Sequence, residues 1–181
     1  MPSIGFATNP LIDELLLPWQ NAIGAALPAY RNHAQRLFHL TCAFHGITSP
    51  EEEMLIAAAA AFHDLGIWSH KTFDYLDPSA GLAEAWLEGQ GDSSHVDLLR
   101  AMVMEHHKVR AASPTMNLVE AFRRADWTDV TQGHLRFGLP GGVYRQLRQQ
   151  FPFLGFHALL LRLGARQLRR HPLQPLPMMR W

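Results

Sequence analysis

Cysteine is almost missing from this chain. Cys42 stands alone among 181 residues, which excludes an intrachain disulfide and a Cys-rich zinc site. A protein of a reducing cytoplasm is the expectation. Long apolar runs are missing as well: the longest, from Met54 to Phe62, is far too short to span a bilayer, so no membrane partner is expected. The opening residues MPSIGFATNP lack a basic region leading into an apolar stretch, and no secretory leader is expected. No segment of useful length alternates with period two, which argues against strands. The glycines of Gly138-Leu139-Pro140-Gly141-Gly142 do not have phosphate-loop spacing and read as a turn. Acid is absent beyond Asp129. The first 129 residues hold eight Lys/Arg against all 16 Asp/Glu, net −8, while eight arginines follow, net +8. The expectation is that this basic end packs against the acidic front. Balanced total charge, without aromatic and basic residues interleaved, argues against general nucleic-acid binding.

What the chain does have is helix punctuation. Ser49-Pro50-Glu51-Glu52 reads as an N-cap, a first-turn proline and a capping-box glutamate. Cap-then-proline recurs at Asn9-Pro10, Asp77-Pro78 and Ser113-Pro114. Helices are expected near 10–17, 29–46, 50–65, 79–90, 94–108, 115–130, 141–150 and 155–170. The fold class is therefore all-α, a single-domain helical bundle over residues 1–181, with Gly66 ending the third long helix as a left-handed C′ residue. The proline-rich end HPLQPLPMMRW should run extended, with Met178, Met179 and Trp181 docked.

Eleven histidines raise the question of which are ligands, and helical spacing sorts them. His33 shares a stripe with Tyr30, Leu37 and Leu40; His63 follows Ile56 and Ala59; Asp64 follows Ala57 and Ala60. His106 follows Leu99, Met102 and Val103, and Asp126 lies in line with Val119, Phe122 and Val130. Each polar group thus points inward from an apolar face. Two buried carboxylates cost several kcal/mol each unless positive charge meets them. Asp64 also sits in the last helical turn, where the dipole repels an anion by ~0.3–1 kcal/mol. A metal ion held by His33, His63, Asp64 and Asp126 resolves both difficulties. Nitrogen and oxygen donors without thiolate suit Mn, Fe, Zn, Ni, Co or, less well, Mg.

A histidine in YRNHAQRLF, the pair in FHDLGIW and the distant aspartate in RRADWTD, all on expected helices, resemble the HD-domain superfamily of metal-dependent phosphohydrolases. The resemblance covers roughly residues 28 to 130, leaving 131–181 as basic helices and a tail outside the motif. It implies hydrolysis of a small anionic substrate, a phosphate ester or nucleotide, by water activated at a divalent ion. Asp64 would orient that water, and His106 would stabilise charge on the phosphoryl oxygens or protonate the leaving group. Arg36 and His107 would bind substrate. His95 is a further candidate ligand, with a surface role the plainer reading. Histidines in the His106-His107 region complete a second metal site or contact the substrate in several HD families. The chain lacks the Gly-Tyr-Pro signature of the cyclic-dinucleotide branch and has Ile67-Trp68 where a lysine often stands. Alternatives on the same scaffold are a hydratase of the cyanamide-hydrating kind and a di-iron oxygenase; a non-catalytic helical binding module is the alternative of another class. Trp68, Phe73, Tyr75, Trp86 and Trp127 are candidates for pocket walls.

Overall fold

Local caps open the helices much where the sequence places them. The computed structural model describes residues 5–46, 49–111 and 117–179. Asn9 caps α1 (Pro10–Leu16), its side chain accepting from the Leu11 amide. At the start of α4 (Pro50–Phe62), Ser49 Oγ accepts from the Glu52 amide and the Glu52 carboxylate accepts from the Ser49 amide, the expected reciprocal box. Between them run α2 (Gln20–Ile23), flanked by 3-10 turns Leu17–Trp19 and Gly24–Ala26, and the long α3 (Leu27–His45). There follow α5 (Gly66–Ser69), α6 (Leu76–Gly89), α7 (Val96–Glu105), α8 (Asn117–Val130), α9 (Gly141–Gln150) and α10 (Phe156–Arg170). No strand occurs among the described residues. No described helix is long and apolar enough to cross a membrane.

These helices form an all-α, single-domain bundle with an HD-like arrangement. α3 is its axis, packing against α1, α4, α8 and α9. α4 is enclosed by α1, α3, α6 and α7, and every residue from Leu55 to Phe62 is buried, which explains its all-round apolar sequence. The alanine row Ala57 to Ala61 contributes little transfer energy itself; it lets larger neighbours such as Leu37 and Leu99 approach closely. Each of those leucines contributes roughly 1.5–3 kcal/mol of burial.

Several expectations need correction. α6 starts at Leu76, two residues before Pro78, with no side-chain cap; Asp77 lies in its first turn and pairs with Arg100 at 3.1 Å. Ser113-Pro114 and Trp181 lie outside the described residues. Gly66 is not a left-handed C′ residue, since its φ is not positive; it opens α5. Its requirement is space, because a Cβ there would stand 2.6 Å from the Tyr75 carbonyl oxygen. The basic C-terminal part does pack on the bundle, through aromatic side chains and through hydrogen bonds at Tyr144, Phe151 and Pro152, and, among the described residues, not through its arginines. Phe151 and Phe156 are buried, and Phe156 stacks on the His33 ring at 4.1 Å. Arg162, Arg166, Arg169 and Arg170 on α10 make no ion pair among the described residues. The segment after α10 is non-helical, and Met178 is buried against Ile67, Tyr75 and Leu76.

Candidate metal centre

The site is assembled where one helix passes two helix ends. α3 contributes Tyr30, His33 and Arg36 along one face; α8 contributes Asp126 and Asp129 from the face opposite. Both carry the same three-residue interval, so the two helices meet in register as i,i+3 pairs. α4 ends at Phe62 with His63 as its C-cap, and α7 ends at Glu105 with His106 as its C-cap.

The two capping histidines use one device. His63 Nδ1 lies 3.0 Å from the Ala60 carbonyl oxygen, and His106 Nδ1 lies 2.6 Å from that of Val103. A carbonyl only accepts, so each Nδ1 carries a proton and each Nε2 is turned inward. The cap thereby satisfies a terminal carbonyl and aims a ligand nitrogen inward. Tyr30 fixes the turn between helices: its hydroxyl donates to the Ala61 carbonyl at 2.9 Å and accepts from the Asp64 amide at 3.3 Å. Ser79 Oγ accepts from the Gly66 amide at 2.9 Å and holds the far side of the same turn.

His33 is oriented from behind. Its Nδ1 donates to Asp129 Oδ2 at 2.7 Å, and Arg36 meets the same carboxylate through Nε and Nη2, both at 2.7 Å. Burial would raise the Asp129 carboxyl, but the Arg36 guanidinium and the His33 hydrogen bond outweigh it and hold it well below the usual carboxylate range. Burial pushes His33 down to about 4, so the ring is neutral near pH 7. With Nδ1 protonated, its Nε2 presents a lone pair.

Arg36 was expected at the substrate. Instead it is fully buried, forked onto Asp129, and donates to the Phe151 carbonyl at 2.8 Å. The Asp129 carboxylate that receives it went unnoticed in the sequence, although Asp129 stands seven residues after buried Phe122 and four after buried Ala125, on an inward stripe.

Around the front of His33 lie His63 and Asp64, with Asp126 beside them but outside either three-residue ligand group. His33 Nε2 and His63 Nε2 are 3.1 Å apart, His63 Nε2 lies 3.3 Å from Asp64 Oδ2, and His33 Nε2 lies 3.6 Å from Asp126 Oδ1. His106 Nε2 is 3.5 Å from Asp64 Oδ1, and both atoms are buried without a hydrogen-bond partner. Two groups result, His33–His63–Asp64 and Asp64–His106–His107, each with one ligand atom per residue within 4.8 Å of the others. Asp64 belongs to both. This is an HD-like His/Asp cluster, consistent with the metal-binding motif of that superfamily.

The donor set fits a divalent cation on its own chemistry. Two imidazole nitrogens face each other at 3.1 Å, an approach that calls for a proton or a cation between them. Burial raises the Asp64 carboxyl, yet the neighbouring His63 and His106 rings bring it well below its ordinary value. Burial pushes Asp126 up to about 8, with the Asp64 and Asp129 charges adding to the rise against the pull of His106. A carboxylate, an acid kept neutral and three imidazole nitrogens share one enclosed space, which a doubly charged ion would satisfy together.

His107 is half-buried at the edge. Its Nε2 accepts from the Tyr75 hydroxyl at 2.6 Å, and its Nδ1 faces Asp126 Oδ2 at 3.4 Å. Burial drives the Tyr75 phenol well up and the His107 ring well down, so the phenol keeps its proton and the ring stays neutral. His95 stands apart, paired with Asp92 at 2.7 Å near the start of α7. Of the aromatic candidates, Phe73, Tyr75 and Trp127 line the cavity over the cluster; Trp68 lines a neighbouring one, and Trp86 packs on Phe62. Compared with known proteins, the chain matches no family model, no curated protein and no solved structure.

Proposed function

We propose that the chain is a metal-dependent hydrolase of HD type, acting on a small substrate with a phosphate ester as the reacting group. His33 and His63 would hold a divalent ion through Nε2, with Asp64 and Asp126 completing the oxygen donors. Mn, Fe, Ni, Co, Zn and Mg all suit such donors in differing degree. The ion supplies Lewis acidity, bringing water within reach of deprotonation near neutral pH and offsetting charge on the electrophile. The chain's own residues do the rest. Asp64 Oδ1, buried and unpartnered, accepts a proton from the attacking water and fixes its direction. His106 Nε2 faces that same oxygen and takes up the proton or returns it to the leaving group. His107, held by Tyr75, orients Asp126. The observation that carries this reading is the approach of the His33 and His63 Nε2 atoms to 3.1 Å beside Asp64, whose carboxyl is held well below its ordinary value.

Elemental analysis of purified wild type, His63→Ala and Asp64→Ala tests it first, followed by turnover of generic phosphate esters with each metal added. Stoichiometric metal in wild type and little in either variant is the expected outcome. Equal content in all three removes the site from this cluster. Metal without turnover of any phosphate ester would move the chain to the second reading.

That second reading is a two-metal centre serving a hydratase or a di-iron oxygenase. What favours it is the placement of Asp64, with one carboxylate oxygen towards His63 and the other towards His106, as a bridging carboxylate requires. Two ions per chain and a coupled-iron signal in the iron-loaded protein would support it.

A further inference from the structure

The cavity in front of the metal ligands, about 190 Å³, is floored by Asp64, Asp126 and His107. Its walls are of another character: Phe73, Trp127, Val130, Leu160 and Met178 face it, and among the described residues no Lys, Arg, Ser, Thr, Asn or Gln lines it. The polar atoms its aromatic residues own are already engaged. Tyr75 donates to His107, and Trp127 Nε1 donates to the Lys108 carbonyl at 3.2 Å. Among the described residues the free basic side chains lie elsewhere. Lys71, Arg166 and Arg170 line a neighbouring cavity of about 300 Å³ that shares only Phe73 with this one.

From this we infer that the substrate brings an apolar body to the centre and a single polar group to the ion. The inference rests on the metal reading above and narrows it: the reacting ester is alkyl or aryl, not a sugar phosphate or a nucleotide. Each hydroxyl of a sugar would leave water and find no partner on these walls, whereas a ring or alkyl chain gains by leaving water. The volume sets the size, since a cavity of ~150 Å³ already holds benzene. One ring or a short branched chain fills it. Met178 and Met179, from the segment after α10, close one wall with adaptable thioether chains.

The test is calorimetry on the full chain loaded with Mn(II), metal content being measured on the same sample, using hydroxamates that share one metal-binding head and differ in body. Affinity should rise about fourfold per methylene from acetohydroxamate to butyrohydroxamate, with benzohydroxamate tighter still. 3,4-Dihydroxybutyrohydroxamate should bind about tenfold more weakly than its unsubstituted parent. Met179→Ala should move the optimum from benzo- to naphthohydroxamate, a shift that general loosening of the fold does not produce. Metal-loaded protein with a flat series, or with the dihydroxy body preferred, overturns this inference alone. Protein that takes up no metal overturns the metal reading and this inference with it.

Discussion

The His33 ring separates two buried polar clusters built on different terms. Behind it, Asp129 Oδ2 receives His33 Nδ1 and Arg36 Nη2, and Oδ1 receives Arg36 Nε and, at 3.2 Å, the Tyr144 hydroxyl. Charges cancel and every carboxylate oxygen has donors. In front, Asp64 Oδ1 and His106 Nε2 have no partner, and Asp126 is kept neutral near pH 7 by burial. Both clusters are enclosed, so the contrast is not one of exposure. A buried polar group left unmatched costs stability. The chain carries that cost on one side of an imidazole and avoids it on the other. The rear cluster is scaffold, and the front cluster is what the scaffold holds in position.

Breaking the rear should therefore hurt the fold more than altering the front. Asp129→Ala leaves the Arg36 guanidinium buried and alone, and should cost about 3–5 kcal/mol of stability in denaturant unfolding. It should also weaken metal binding by roughly 10–100-fold, because His33 loses the partner that fixes its tautomer. Asp126→Asn in the metal-free chain replaces an already neutral group and should change stability by less than ~1 kcal/mol. Comparable losses in the two variants would erase the distinction between scaffold and site.

Stability of the metal-free chain against pH sharpens the same comparison. His33 lies at about 4 when folded and His107 well below its ordinary value, both through burial, against ~6.5 unfolded. Below pH ~6.5 the unfolded chain binds protons that these folded rings refuse, so stability is lost as pH falls towards ~4. Asp126 acts in the opposite sense. Its folded value of about 8 exceeds the unfolded ~3.9, so its contribution is complete below ~3.9 and is lost as pH rises through 8. Asp64 and Asp129, both held well below the carboxylate range, contribute above ~3.9 and lose that contribution only in stronger acid. Between pH ~4 and ~6.5 two imidazoles oppose one carboxyl, leaving a net loss on acidification. Above that only Asp126 remains, and stability should fall by about 2 kcal/mol from pH 6.5 to 8. Asp126→Asn should remove the alkaline fall and keep the acid limb. An unchanged alkaline fall in that variant would place the buried proton elsewhere.

How far these clusters could be read in the sequence depended on whether their cause was local. Ser49 with Glu52, and Asn9 with Pro10, announce their helices because a cap is a bond within three residues. His33, His63, Asp64, His106 and Asp126 could be sorted inward by period alone, and all five are buried. α2 and α5, at four residues each, are too short to carry a period. The crowding at Gly66 comes from the Tyr75 carbonyl, which no local pattern reveals. Arg36 was visible as a cation near His33, and Asp129 as an acid near Asp126. Their pairing required α3 and α8 to run face to face, a tertiary fact, and without it a structural arginine looks like a substrate ligand.

The smallest effect tests the front cluster directly, by counting protons. At pH 7 the metal-free chain holds a proton on Asp126 because burial puts its pKa at about 8, whereas His33, at about 4, holds none on Nε2. A carboxylate must be ionised to bind a metal. Mn(II) binding should therefore release about one proton from Asp126, seen as a dependence of the calorimetric heat on buffer ionisation enthalpy. Affinity should rise about tenfold, or ~1.4 kcal/mol, per pH unit below 8 on this account and level off above it. Asp126→Asn should release about one proton fewer than wild type while His33 Nε2 contributes none in either protein. If the two proteins release the same number, Asp126 is not the ligand that ionises, and the unmatched front cluster would have to be satisfied without it.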